Sequence, residues 1–146
     1  MEAVQLRRKI RVLAADDDHD DQLVLKEVFE RIGHEIEFVD SGPLLVEKLD
    51  ANTDKFMLPD IIMLDLFMPP YHGIDTLRNL KNSVDWRHIP IIIYSNYQDP
   101  EIIESAYELG ATSFMPKQSN FDDMVETMQG FLNYWEKTVS LQARFE

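Results

Sequence analysis

Asp16-Asp17-Asp18 follows an apolar run at 10–15, Asp65 follows one at 61–64, Ser95 follows one at 89–94, and Lys117 follows one at 112–115 by way of Pro116. A single Asp after a strand is by default a helix cap or a turn residue. Several carboxylates converging from two neighbouring strands are different, because they raise each other's pKa unless a cation neutralises them. Oxygen-only ligands, with no Cys and no paired His nearby, suit a hard cation, and a site with few carboxylates and room for water suits Mg²⁺ better than a Ca²⁺ cage. An ion held by Asp17 and Asp65 leaves positions for a phosphoryl oxygen, with Ser95 as a hydrogen-bond donor and Lys117 as a counter-charge. Phosphoryl transfer asks a protein mainly for alignment and charge neutralisation, and a carboxylate can itself become the acceptor. Asp65 is the best placed acceptor.

These positions require elements to carry them. The apolar runs at 10–15, 61–64, 89–94 and 112–115, with a weaker one at 35–39, read as strands. Helical spacing links Leu25, Val28, Phe29 and Ile32, then Leu44, Leu45 and Leu49, then Ile74, Leu77 and Leu80, then Ile102, Ile103, Ala106 and Leu109. The longest such segment carries Phe121, Met124, Val125, Met128, Phe131, Leu132, Trp135 and Val139, and predicts a last helix from about 120 to near 142. Gly33 and Gly110 fall where helices should stop, and Asp99-Pro100 offers an N-cap followed by Pro at the first helical position. Five strands alternating with five helices predict right-handed βαβ units and an open, doubly wound parallel sheet. Central strands that are apolar throughout agree with a sheet covered on both faces. Ligands of such sheets sit beyond the carboxyl ends of the strands, where the polar residues above lie.

The 146 residues fit one domain, and 45% hydrophobic with 28% charged residues describes an ordinary globular chain. A net charge of −13 repels a phosphate backbone and argues against direct nucleic-acid binding. The absence of Cys excludes disulfides, thiolate metal sites and cysteine nucleophiles. His19, His34, His72 and His88 are too scattered for a zinc site. No run approaches the about 20 apolar residues of a membrane span, so a cytoplasmic protein without membrane contact is expected.

Val12-Leu13-Ala14-Ala15-Asp16-Asp17, Asp60-Ile61-Ile62-Met63-Leu64-Asp65-Leu66-Phe67-Met68-Pro69, Gly73, Ser95 and Gly110-Ala111-Thr112-Ser113-Phe114-Met115-Pro116-Lys117 resemble the receiver domain of bacterial two-component response regulators. The resemblance covers residues 9–138, leaving 139–146 as an extension of the last helix and a tail. It implies a flavodoxin-like five-stranded parallel sheet of order 2-1-3-4-5. It further implies Asp65 as the phosphorylated aspartate, Asp16 and Asp17 as the acidic pair, Ser95 and Lys117 as its catalytic companions, and Phe114 as the aromatic switch position. Mg²⁺ is then held by Asp17, Asp65 and the backbone carbonyl of Phe67, with Asp16 acting through water. The implied partners are a sensor histidine kinase or histidine phosphotransfer protein and a downstream protein target, reached through helix four, strand five and helix five. No output domain follows, which reads as a stand-alone receiver. Trp135, Tyr134 and Phe145 are assigned to core packing, with a homodimer contact as the other option.

Three departures from the family pattern stand out. Gln118 rather than Pro follows Lys117, and the commonly small residue after the hydroxyl is Asn96. Phe67 and Tyr97, two beyond the acceptor and two beyond the hydroxyl, are both aromatic, and are expected to screen an acyl phosphate from water. A haloacid-dehalogenase phosphatase would need an Asp where Phe67 stands, and a flavin-phosphate loop would be repelled by Asp16-Asp17-Asp18-His19-Asp20. The remaining alternative is a phosphorylation-independent scaffold of the same architecture.

Overall fold

The register of the central strands explains where the chemistry collects. In this computed structural model, which describes residues 9–52 and 57–137, the apolar runs form β1 (Arg11–Ala15), β3 (Ile61–Leu64), β6 (Ile91–Ser95) and β7 (Ser113–Pro116). The half-buried run forms the edge strand β2 (Glu35–Val39). All five pair in parallel in the order β2-β1-β3-β6-β7, which is the expected 2-1-3-4-5 once a small two-stranded hairpin, β4 (Phe67–Met68) and β5 (Tyr71–His72), is set aside. Ala15 lies opposite Leu64, Leu64 opposite Ile93, and Ser95 opposite Pro116. Asp16, Asp65, Ser95 and Lys117 therefore leave the same edge of the sheet within a residue or two of one another.

Alternation along the strands divides the core in two. Leu13, Ala15, Ile62, Leu64, Ile91 and Ile93 face α2 (Gly42–Ala51), α3 (Gly73–Asn82) and α4 (Pro100–Glu108). Val12, Ala14, Ile61, Met63, Ile92 and Tyr94 face α1 (His19–Ile32) and α5 (Phe121–Lys137). Both faces are thus covered, which is why β3 and β6 are buried at every position. Trp135 is buried in the α1/α5 layer, as core packing requires, whereas Tyr134 is exposed. Phe145 and the expected continuation of the last helix toward 142 lie outside the described residues.

Helix boundaries follow their caps. Asp18 accepts the N–H groups of Asp20 and Asp21 at the start of α1, and Gly33 ends it in the left-handed conformation at φ 82°. Asp99 caps α4 with Pro100 as its first residue, as expected. Ile10 and Ile89 belong to the apolar runs but not to the strands. Ile10 is buried while its N–H bonds to the ring of His34, and the Ile89 N–H closes a turn onto Trp86. Among the described residues no helix is long and apolar enough to cross a membrane.

Candidate functional site

Asp65 stands one residue past β3, its N–H donating to the Ala15 carbonyl at 3.0 Å, which fixes it beside the end of β1. Only 8% of Asp65 is exposed, and its two carboxylate oxygens face different partners. Oδ1 accepts the Ser95 hydroxyl at 3.0 Å and the Phe67 N–H at 3.2 Å. Oδ2 accepts from the Lys117 ammonium at 2.8 Å. Ser95, 1% exposed, also accepts the Tyr97 N–H at 3.2 Å, so its hydroxyl proton is directed at Asp65.

Lys117 gathers the acids. Its ammonium donates to Asp16 at 2.9 Å, to Asp21 at 2.7 Å and to Asp65 at 2.8 Å, which occupies all three of its donors. Burial works to lower the Lys117 pKa, but the hydrogen bonds to Asp21, Asp65 and Asp16 outweigh it and raise the value, so the side chain stays charged. Burial pushes the Asp16 carboxyl above the ordinary carboxylate range, and the Asp18 N–H and Lys117 offset only part of that rise. Gln22, buried in α1, clamps the Asp16 carbonyl at 2.6 Å and reaches Asp40 at 2.8 Å, tying the acidic loop to the end of β2.

Gly73 closes the loop from below. A Cβ there would lie 2.3 Å from the Asp65 carbonyl oxygen and 2.9 Å from the Leu66 Cα, so only glycine lets α3 start this close to the acceptor. The Lys117 loop also has its own support. The buried Tyr94 hydroxyl accepts the Gln118 N–H, and the Lys117 N–H donates to the Ser95 carbonyl at 3.2 Å. Among the described residues the only cis peptide is Pro69-Pro70, so the bond into Gln118 is trans.

The structure thus brings together Asp16, Asp65, Ser95 and Lys117, with the Phe67 backbone in contact. Asp17 is exposed and is not among the residues gathered around Lys117, and Phe114 lies farther along β7, opposite Ile93. Phe114 is half-buried against the α2/α3/α4 layer, and its N–H donates to the Tyr107 hydroxyl of α4 at 3.0 Å. Phe67 and Tyr97, whose N–H groups donate to Asp65 and Ser95, are 60% and 47% exposed, so their side chains do not form a closed cover. Asn96 is exposed.

Sequence reasoning missed Asp21. It lies in the first turn of α1, where an acid reads as a complement to the helix dipole. The available signal was its place three residues after the Asp18 cap, a position whose side chain turns back toward the loop before the helix.

Among the described residues no three Asp, Glu or His side chains form a ready-made metal cage, and the Lys117 ammonium stands between Asp16, Asp21 and Asp65. Asp16 and Asp65, which share that ammonium, present the carboxylate oxygens that a hard cation keeping several waters takes one or two of.

Comparison with known proteins agrees with this arrangement. Residues 12–129 match the model of the response regulator receiver domain. Response regulator Rcp1 of Synechocystis sp. is 26% identical over 136 residues, which is 90% of this chain and 92% of Rcp1. The crystal structure of response regulator RPA3017 in red light signalling of R. palustris superposes with a TM-score of 0.82 at 30% identity, covering 92% of this chain and 99% of that one. The Mn²⁺-bound form of Rcp1 superposes with a TM-score of 0.78 at 25% identity, over 92% of this chain and 99% of that one.

Proposed function

Because the chain belongs to the response regulator receiver domain family, whose members are phosphorylation-activated signalling switches and not turnover enzymes, we propose that Asp65 is its phosphoacceptor. The donor is a phosphohistidine of a sensor histidine kinase or histidine phosphotransfer protein. A carboxylate oxygen of Asp65 forms the new O–P bond as the N–P bond breaks, and the electron pair stays on the departing imidazole, which takes up a proton. The observation that carries this reading is that Ser95 and Lys117, from separate strands, donate to Asp65 at 3.0 and 2.8 Å, while the same ammonium donates to Asp16 at 2.9 Å.

The residues divide the work. Lys117 neutralises charge on the incoming phosphoryl group by exchanging its bond to Asp65 for one to a phosphoryl oxygen. Ser95 already donates toward Asp65 and turns to donate to the same group. Asp16, Asp17, Asp65 and the Phe67 carbonyl would hold Mg²⁺, a choice supported by the all-oxygen donor set and by the metal-bound Rcp1 structure. When bound, the ion supplies charge neutralisation and alignment of the phosphoryl oxygens. Movement of Ser95 frees space for Phe114, which changes the surface of α4, β7 and α5 that meets the downstream target. The receiver unit is taken as residues 9–138, acting in the cytoplasm by protein contact and without nucleic acid, in line with the charge of −13.

Incubation with acetyl phosphate and Mg²⁺, read by intact mass, tests the metal-assisted step. One added phosphoryl group is expected, and none when a chelator removes the metal. Labelling that survives the chelator contradicts the role given to the ion.

A further inference from the structure

Lys117 has one more anionic partner than the chemistry above uses. Asp16 and Asp65 are both claimed by a divalent cation and by the phosphoryl step, so a lysine paired with these two alone would compete with the metal for its ligands. Asp21 lies at 2.7 Å, the shortest of the three contacts, and comes from α1 rather than from a strand end. Its side chain is 35% exposed, against 4% for Asp16 and 9% for Asp65. It therefore remains available to Lys117 from the helix side when the others change partners. Asp20, its neighbour in the same helical turn, is exposed and makes no such contact, so the position and not merely the acidity of the turn is special.

We propose that Asp21 is a positioning residue, the lysine's standing counter-ion, which draws the Lys117 ammonium toward α1 and leaves Asp16 and Asp65 free to bind a divalent cation. This rests on the phosphoacceptor reading above and extends it to how the carboxylates are shared between lysine and metal. Without Asp21 the ammonium has only the two metal-binding carboxylates to pair with, so metal affinity falls. In a Lys117→Met background there is no ammonium to draw away, and Asp21 loses this influence.

The test is calorimetric titration of the unphosphorylated full chain with Mg²⁺ and Mn²⁺. Asp21→Asn is expected to weaken binding roughly three- to fivefold, the scale of one partly exposed ion pair. Asp20→Asn, which removes the same charge one residue away, should change affinity by less than half as much. Asp21→Glu, which keeps the charge, should retain most of the binding. In the Lys117→Met protein the further change Asp21→Asn should have little effect, since interaction energies of this kind vanish when one partner is absent. Unchanged affinity in Asp21→Asn, or an equal loss with and without Lys117, overturns the inference while leaving Asp65 as acceptor. A wild-type protein that binds neither ion overturns the metal reading itself.

Discussion

Each oxygen of Asp65 has its own neighbours, and that division decides what the carboxylate can do. Oδ2 faces the Lys117 ammonium and Oδ1 faces the Ser95 hydroxyl, so new negative charge on Asp65 meets a cation on one side and a rotatable donor on the other. Phe67 and Tyr97 anchor their backbones to this pocket through N–H bonds to Asp65 and Ser95 and carry large, exposed aromatic side chains there. Their exposure makes the effect one of crowding the approach, not of sealing it. The phosphorylated protein with Mg²⁺ present should lose its phosphoryl group severalfold faster in Phe67→Asn and in Tyr97→Glu than in the wild type. Decay followed by intact mass checks this, and equal lifetimes remove the screening role. Of the residues in this pocket, Asp16, Asp65 and Ser95 were legible because each directly follows an apolar run, and Lys117 because it follows one after Pro116. Asp21 was not, because a carboxylate in the first turn of a helix has a sufficient local reason to be there.

At the scale of elements, the loop after β3 and the end of α5 each depend on one close contact. The start of α3 passes so near the Asp65 carbonyl that a methyl group at position 73 would lie 2.3 Å from it. Gly73→Ala must displace backbone rather than a flexible side chain. It is expected to cost about 1–3 kcal/mol in urea unfolding and to slow labelling of Asp65. A mutant with wild-type stability and rate would show that the loop is slack. At the opposite end of the sheet, His34 accepts the Ile10 N–H on Nδ1 and reaches Glu136 of α5 through Nε2 at 3.3 Å. Burial lowers its pKa below the ordinary 6.5, Lys9 adds to this, and Glu136 opposes it. The folded protein therefore binds fewer protons than the unfolded chain just below pH 6.5. Stability from this group is complete above that pH and falls as the solution is acidified through it. Urea midpoints at pH 7.5 and about 5.5 should differ less in His34→Gln, which can keep both hydrogen bonds without titrating, than in the wild type. An unchanged difference would assign the acid sensitivity to other groups, such as His88, which burial also lowers. Strand limits were less legible than strand existence. Ile10 and Ile89 are buried for packing reasons, but their N–H groups bond to the His34 ring and the Trp86 carbonyl rather than to a neighbouring strand, and the β4–β5 hairpin has two residues per strand, too few to leave a periodic signal.

For the whole molecule, the order of strands turns a one-dimensional scatter of polar residues into a pocket. Residues 16 and 117 are 101 positions apart in the chain, yet their side chains meet at 2.9 Å because parallel pairing lines up every carboxyl end on one edge. Both covered faces and the edge carrying the site could be read from buried apolar runs and the right-handed crossover rule, whereas the order of the strands followed only from the family resemblance. The sharing of one ammonium among three carboxylates could not, since it depends on side-chain distances that spacing does not encode. The most direct test compares wild type with Asp65→Asn, each exposed to acetyl phosphate and Mg²⁺ and weighed intact. One phosphoryl group on the wild type and none on Asp65→Asn is the expected result. A label that persists on Asp65→Asn at the wild-type level would place the acceptor elsewhere and contradict the assignment of this pocket.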